Sequence, residues 1–208
     1  MTSSKDLHIL CKYYLTGLWL HQDQDTMIKE ITIKRKYHPN GQLKSEENYE
    51  NGDIHGLQRS WYENGQLAGE GDYRAGLMEG LHRDWHRNGQ LQSECNYENH
   101  ELHGLERHWY SNGQLRKELN WDNGRLQGLE RWWYENGQLQ HESNWEQDKA
   151  HGPNREWHEN GLLHISEEWE NGELHGYFKR WNDEGRLTEA GQYKNGKLHG
   201  KRTQCTYY

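Results

Sequence analysis

Apolar and polar side chains alternate over short stretches of this chain, and glycine interrupts the alternation at regular intervals. In Leu57-Gln-Arg-Ser-Trp-Tyr62 the residues at 57, 59 and 61 are apolar or long and those between them are polar, which is the period of a β-strand. Asn64-Gly65 follows and offers residues that tolerate the positive φ a tight turn needs. Leu67 to Tyr73 returns as a second strand, and Ala75-Gly76 with Glu79-Gly80 carries the chain onward. The segment predicts a β-hairpin.

The same grammar recurs with a period of 24 residues. Turn glycines stand at Gly41, Gly65, Gly89, Gly113, Gly137, Gly161 and Gly185, and a second set at Gly56, Gly80, Gly104, Gly128, Gly152, Gly176 and Gly200. Seven units of 24 are therefore expected over about residues 33 to 203. One aromatic column runs Tyr37, Trp61, Trp85, Trp109, Trp133, Trp157, Trp181, and another Tyr49, Tyr73, Tyr97, Trp121, Trp145, Trp169, Tyr193. Leucines form a third, from Leu43 to Leu187. Few large apolar side chains fall in any one unit, too few to offset the entropy of ordering it, so units must stack and be stabilised by nearest-neighbour interfaces. The expected fold is all-β, an elongated array of hairpin repeats rising about 10 Å per unit.

The first 26 residues break the period. Leu7, Leu10, Cys11, Tyr14, Leu15 and Leu18 follow helical spacing, with Ser3 and Asp6 placed like a capping box, which predicts a helix over about Ser4 to Leu20. Residues 1–26 are read as a short N-terminal α-helical cap. Residues 27–208 are read as the array, closed by a capping tail from Thr203 to Tyr208.

Composition changes the picture in one respect. Only 31% of the 208 residues are hydrophobic and the mean hydropathy is −1.40, values usual for disorder, yet the chain holds 11 Trp and 13 Tyr beside one Phe and no Val. A repeat explains that bias. Cys11, Cys95 and Cys205 are odd in number and far apart, which fits a reducing compartment. The stretch Leu7 to Leu20 lacks the features of a signal peptide, and a cytoplasmic protein is expected. The net charge of −8 argues against nucleic acid and against an anionic membrane as partners.

The recurrent Trp-Tyr-x-Asn-Gly-Gln-Leu, followed by Glu, Tyr and a closing His-Gly-Leu, resembles the variant form of the MORN repeat, the unit of bacterial proteins labelled YwqK-type antitoxins. The resemblance implies hairpin stacking, no enzymatic activity, and neutralisation of a cognate toxin by direct binding. Related repeats serve as scaffolds or membrane-associated organisers, which is the alternative function.

Candidate chemistry is weighed against the repeat. His55, His103, His151, His175 and His199 occupy one slot before the turn glycine, as structural residues would. At about 10 Å between units they are too far apart to share a metal, and no metal or cofactor is expected. Arg59, Arg83, Arg107, Arg131 and Arg155 alternate with Glu46, Glu70, Glu94, Glu118 and Glu142, predicting a cross-strand ion-pair ladder. If the Leu, Arg and Trp columns form the structural face, the variable positions share the other. There Asp84, Glu106, Glu130 and Glu156 interleave with Tyr110, Trp132, Tyr134 and His158, residue types suited to a partner surface for a basic protein. His100 and Asp148 stand where the turns into the next unit have glycine, and Pro153 and Leu162 also depart from the pattern. No unit carries a catalytic constellation of its own, so a non-enzymatic antitoxin or immunity protein is expected, with pairing of array ends as a route to a homodimer. On this reading Trp132→Ala or Glu130→Lys weakens the complex while the array stays folded.

Overall fold

The computed structural model describes residues 7–12 and 29–205, with the backbone alone for Leu7–Lys12. Every regular element among them is a β-strand in antiparallel pairing. The chain forms two compact units, Met1–Gly89 and Gln90–Tyr208. In the first, Leu7–Lys12, Glu30–Tyr37, Leu43–Glu50, Gly56–Trp61, Leu67–Arg74 and Leu77–Trp85 pair in chain order. In the second, Leu91–Glu98, Gly104–Trp109, Leu115–Asp122, Gly128–Trp133 and Leu139–Glu146 do the same. Gly152–Trp157, Leu163–Glu170, Gly176–Trp181, Leu187–Lys194 and the short Thr203–Gln204 continue that sheet.

The helix expected over Ser4 to Leu20 is corrected where the structure describes it. Leu7–Lys12 is a strand, antiparallel to Glu30–Tyr37 from Leu7 opposite Arg35 to Lys12 opposite Glu30. The sequence Leu7, Ile9, Cys11 also fits a two-residue period, and a strand satisfies the backbone groups along the edge of Glu30–Tyr37 that a helix would leave unpaired. The rest of that prediction, at Ser4–Asp6 and 13–20, lies outside the described residues. At the other end of the chain, Thr203–Gln204 pairs with Glu189–Ala190, and the residues after Cys205 lie outside the description.

The turns differ from expectation in their chemistry. Asn64-Gly65 uses positive φ at glycine alone (84°), with Gly65 N donating to Tyr62 O and a register shift between Ser60 and Trp61. The turn with two left-handed residues is the one between hairpins: Asn51 at 53° and Gly52 at 91° join the paired residues Glu50 and Asp53 in the backbone of a type I′ turn. His100 (71°) and Asp148 (64°) hold the second position of such turns without glycine. Asp148 is supported by its side chain, whose Oδ1 accepts from Leu126 N one unit earlier.

Strand register divides the side chains between two faces. One carries the expected ion-pair ladder: Glu142 stands opposite both Arg131 and Arg155, at 2.9 and 3.7 Å, and Glu70 likewise meets Arg59 and Arg83 at 3.5 and 3.9 Å. The buried side chains lie on the opposite face, the one expected to be the free surface. Leu119, Phe178, Glu130, Ser143 and Glu189 are all there. Trp121, Trp145 and Trp169 share the parity of that face on the return strands, so large rings cover it while the short-range ladder occupies the other.

Hydrogen bonds 23 residues apart tie successive hairpins together within each unit. Tyr62 Oη donates to Trp85 O at 2.6 Å, Tyr110 Oη to Trp133 O at 2.8 Å and Tyr134 Oη to Trp157 O at 2.9 Å. His38 and His158 place Nε2 against Trp61 O and Trp181 O in the same way. Beside them Asn40, Asn64, Asn112, Asn136 and Asn160 each donate Nδ2 to the carbonyl of the residue 23 further on. Replacing Tyr62 by Phe leaves Trp85 O without this donor and should cost about 1 kcal/mol. Urea denaturation of the full chain measures it, and an unchanged midpoint would show that the ladder does not stabilise the stack.

Candidate functional site

The indole column needs acceptors when it is buried, and the sequence supplies carboxylates. Glu130 lies in the middle of Gly128–Trp133, opposite Ser143, with only 7% of its surface exposed. Its Oε1 accepts from Trp132 Nε1 at 2.6 Å, and its Oε2 from Trp145 Nε1 at 2.6 Å and Ser143 Oγ at 3.3 Å. His141 Nε2 stands 3.1 Å from the same Ser143 hydroxyl. A buried carboxylate thus orients two tryptophans.

Neighbouring hairpins vary the arrangement. Glu106 accepts from Trp121 Nε1 at 2.7 Å and from His108 Nε2 at 2.5 Å, and the His108 bond holds its carboxyl below the ordinary range against the effect of burial. In the hairpin after Glu130 the outgoing position is Asn154, and the carboxylate moves across the strand pair to Glu167, which accepts from Trp169 Nε1 at 2.9 Å. Burial raises the Glu167 pKa, the indole bond opposes the rise, and the charge of Glu156 adds to it.

A cavity of about 350 Å³ opens beside Glu130, lined by Glu130, Trp132, Tyr134, Gln140, His141, Glu156, Trp157 and His164. Four of the eight candidate partner residues, Glu130, Trp132, Tyr134 and Glu156, meet there. Trp132 is 37% exposed, and Lys117 Nζ stands 5.1 Å from the centroid of its ring. Glu156 faces His141 Nδ1 and His164 Nδ1, each at 3.9 Å. His158 holds Trp181 O and packs its ring against His164 at 4.3 Å. Burial, then His158 and Arg180, lower the His164 pKa and favour its neutral ring, while Glu156 pulls the other way. Tyr110 is occupied by the inter-hairpin ladder and Glu106 by its own indole. Asp84 belongs to the first unit and stands opposite Gly69.

Ser143, His141, His164 and Glu167 were not singled out from sequence, and Trp145 was read only as a member of an aromatic column, because they sit on return strands whose register a sequence does not state. One signal was available. Hairpins whose return strand carries Trp121, Trp145 or Trp169 contain Glu106, Glu130 or Glu167 at the facing positions, whereas Tyr73 and Tyr193 share hairpins with Gln58 and Phe178; the hairpin of Tyr49 has Glu47 there, which accepts from the Tyr49 hydroxyl at 2.8 Å.

The chain belongs to the MORN repeat variant family. The family model matches residues 33–51, 54–75, 78–99, 102–123 and 126–147, which together span just over half of the chain. Five repeats are matched, against the seven units expected from the glycine period; the hairpins Gly152–Trp157 with Leu163–Glu170 and Gly176–Trp181 with Leu187–Lys194 follow the last matched residue and keep the same turn and bulge. No curated protein matches the chain.

The burial of Glu130 changes the outcome expected of Glu130→Lys, which would place an ammonium among indole donors. Any loss of this acceptor, Glu130→Ala included, should cost about 1 to 3 kcal/mol, because Trp132 Nε1 and Ser143 Oγ lose their carboxylate acceptor and Trp145 Nε1 keeps only Ser143 Oγ at 3.0 Å. Thermal denaturation tests it, and an unaltered Tm would mean that the carboxylate does not organise the site. Glu167→Gln should act in the opposite sense. The fold favours the protonated form of Glu167, so the wild type loses stability as pH rises through the raised value, and a glutamine does not. The variant should be more stable than wild type at about pH 8, with the advantage shrinking toward about pH 4; an advantage independent of pH would refute the raised pKa.

Proposed function

We propose that this chain is a non-enzymatic binding protein, an antitoxin or immunity protein that neutralises a basic cognate toxin by covering its active surface. The observation that carries the reading is the cavity at Trp132 and Glu156, where rigid aromatic area and carboxylate charge lie together on one face of the second unit. Glu106 and Glu130 support it from below, since both Glu130 oxygens accept from indoles and the Glu106 oxygens accept from Trp121 and His108. A net charge of −8 favours rapid association with a basic protein. The two hairpins after residue 147 are further units of the same repeat on this reading, and the protein works in the cytoplasm, without a cofactor.

The test is co-expression. The chain is used as bait in lysate of its own source, and the principal partner is then expressed with and without it. A stoichiometric basic protein should stop growth alone and not beside this chain, and Trp132→Ala should reduce the rescue while the protein stays folded. If the bait recovers only itself, or binds liposomes instead, the array is a scaffold or membrane-associated organiser and the neutralisation reading is wrong.

A further inference from the structure

The cavity beside Glu130 is small for a ligand pocket, at about 350 Å³, and suits one side chain better than a cofactor. Its walls are unequal in chemistry. Trp132, Tyr134 and Trp157 supply ring surface, and the carboxylates are Glu130 and Glu156. Glu130 already accepts three hydrogen bonds within the protein. Glu156 is different. Its side chain is 42% exposed, and the imidazole nitrogens of His141 and His164 stand 3.9 Å away, beyond hydrogen-bond distance.

The charges around Glu156 are out of balance. Burial lowers the His164 pKa and so weakens the compensation this ring gives that carboxylate from 3.9 Å. Glu167 is pushed toward its protonated form partly by the charge of Glu156. Arg180, the cation that acts on both Glu167 and His164, is itself engaged by Glu189 at 3.3 Å. One cation already lies over the Trp132 ring, where Lys117 Nζ stands 5.1 Å from the centroid. The site has an electronegative ring system, an under-neutralised carboxylate at its edge and room for one long side chain.

We propose that this cavity receives the guanidinium of an arginine side chain, presented by the basic partner, stacked on Trp132 and hydrogen-bonded to Glu156. The inference rests on the binding-protein reading of this face and names the chemical group that the face selects. Arginine fits better than lysine for three physical reasons. Its planar fork matches a carboxylate with two parallel N–H donors, its flat face stacks on an indole, and it sheds water more readily than an ammonium. Glu130 acts as a positioning residue, because its Oε1 anchors Trp132 Nε1 and so sets the plane of the ring.

The test uses the full chain labelled with 15N and three capped tripeptides, Gly-Arg-Gly, Gly-Lys-Gly and Gly-citrulline-Gly, the last having the shape of arginine without its charge. The arginine peptide should shift the indole N–H resonance of Trp132, assigned with Trp132→Phe. The citrulline peptide should bind about tenfold more weakly, as expected when a charge-assisted hydrogen bond is lost, and Glu156→Gln should weaken the arginine response by about the same factor. Equal binding of the arginine and citrulline peptides, or no response to the arginine peptide at millimolar concentration, would overturn the proposal. An arginine response unaffected by Glu156→Gln would overturn it as well. The comparison of peptides on the wild-type chain needs no variant to fold. The two readings fail separately: a toxin bound by Glu156→Gln as tightly as by the wild type would end the arginine assignment and leave the antitoxin reading standing. An arginine response without any neutralised partner would do the reverse.

Discussion

A side chain in the turn of one hairpin donates a hydrogen bond to a main-chain carbonyl in the next, 23 residues later, and the rest of each unit depends on that contact. Tyr62, Tyr110 and Tyr134 do this through a phenol, His38 and His158 through an imidazole, and the turn asparagines through an amide. The sheet in each unit has few buried side chains. Among the described residues, Leu119 and Phe178 are the only apolar side chains that are buried. With so small a core, alignment of neighbouring hairpins has to come from directional bonds, and directional bonds tolerate no insertion. That is the physical reason for a period of 24 without a slip.

The same scarcity of apolar volume explains the tryptophans. An indole covers more sheet than any aliphatic side chain but brings an N–H that cannot be left without a partner. The chain resolves this by carrying an acceptor with the ring, as in Glu106 with Trp121, Glu130 with Trp145 and Glu167 with Trp169. When the outgoing strand holds Asn154 instead of Glu, the carboxylate appears on the facing residue, so the pair is kept although its members change strands. A low hydrophobic content and an acidic net charge, which in isolation suggest disorder, are consequences of covering a sheet with hydrogen-bonded aromatic rings.

The candidate site grows out of this structural device. Glu130 and Ser143 fix Trp132 and Trp145 from within, and the outer edge of the same cluster, at Trp132 and Glu156, is open. Burial and exposure therefore separate two roles that look alike as acidic residues in a column. Glu130 orients, and Glu156 is exposed at the edge. The membership of the chain in the MORN repeat variant family accounts for the hairpins and their spacing, while the residues at this cluster belong to one stretch of the array and carry its individuality.

Much of the fold was legible because its determinants are local. Strand alternation, glycine at left-handed positions and the alternation of Arg with Glu involve residues close in sequence or one period apart, and each appears in the structure where the pattern places it. The N-terminal segment was misread because Leu7, Leu10 and Cys11 satisfy both a helical and a strand period, and only the unpaired edge of Glu30–Tyr37 decides between them over Leu7–Lys12. The choice of buried face was misread for a related reason. Strand parity shows which residues share a side but not which side the large rings cover. Register across three strands brings Trp132, Ser143, His141 and Glu156 around one carboxylate, and that meeting of residues 26 positions apart is a property of tertiary pairing. Period, turn positions and ladder chemistry were thus written in the sequence itself. Which face is buried, and which acid stays exposed, was decided by the register that packs one hairpin on the next.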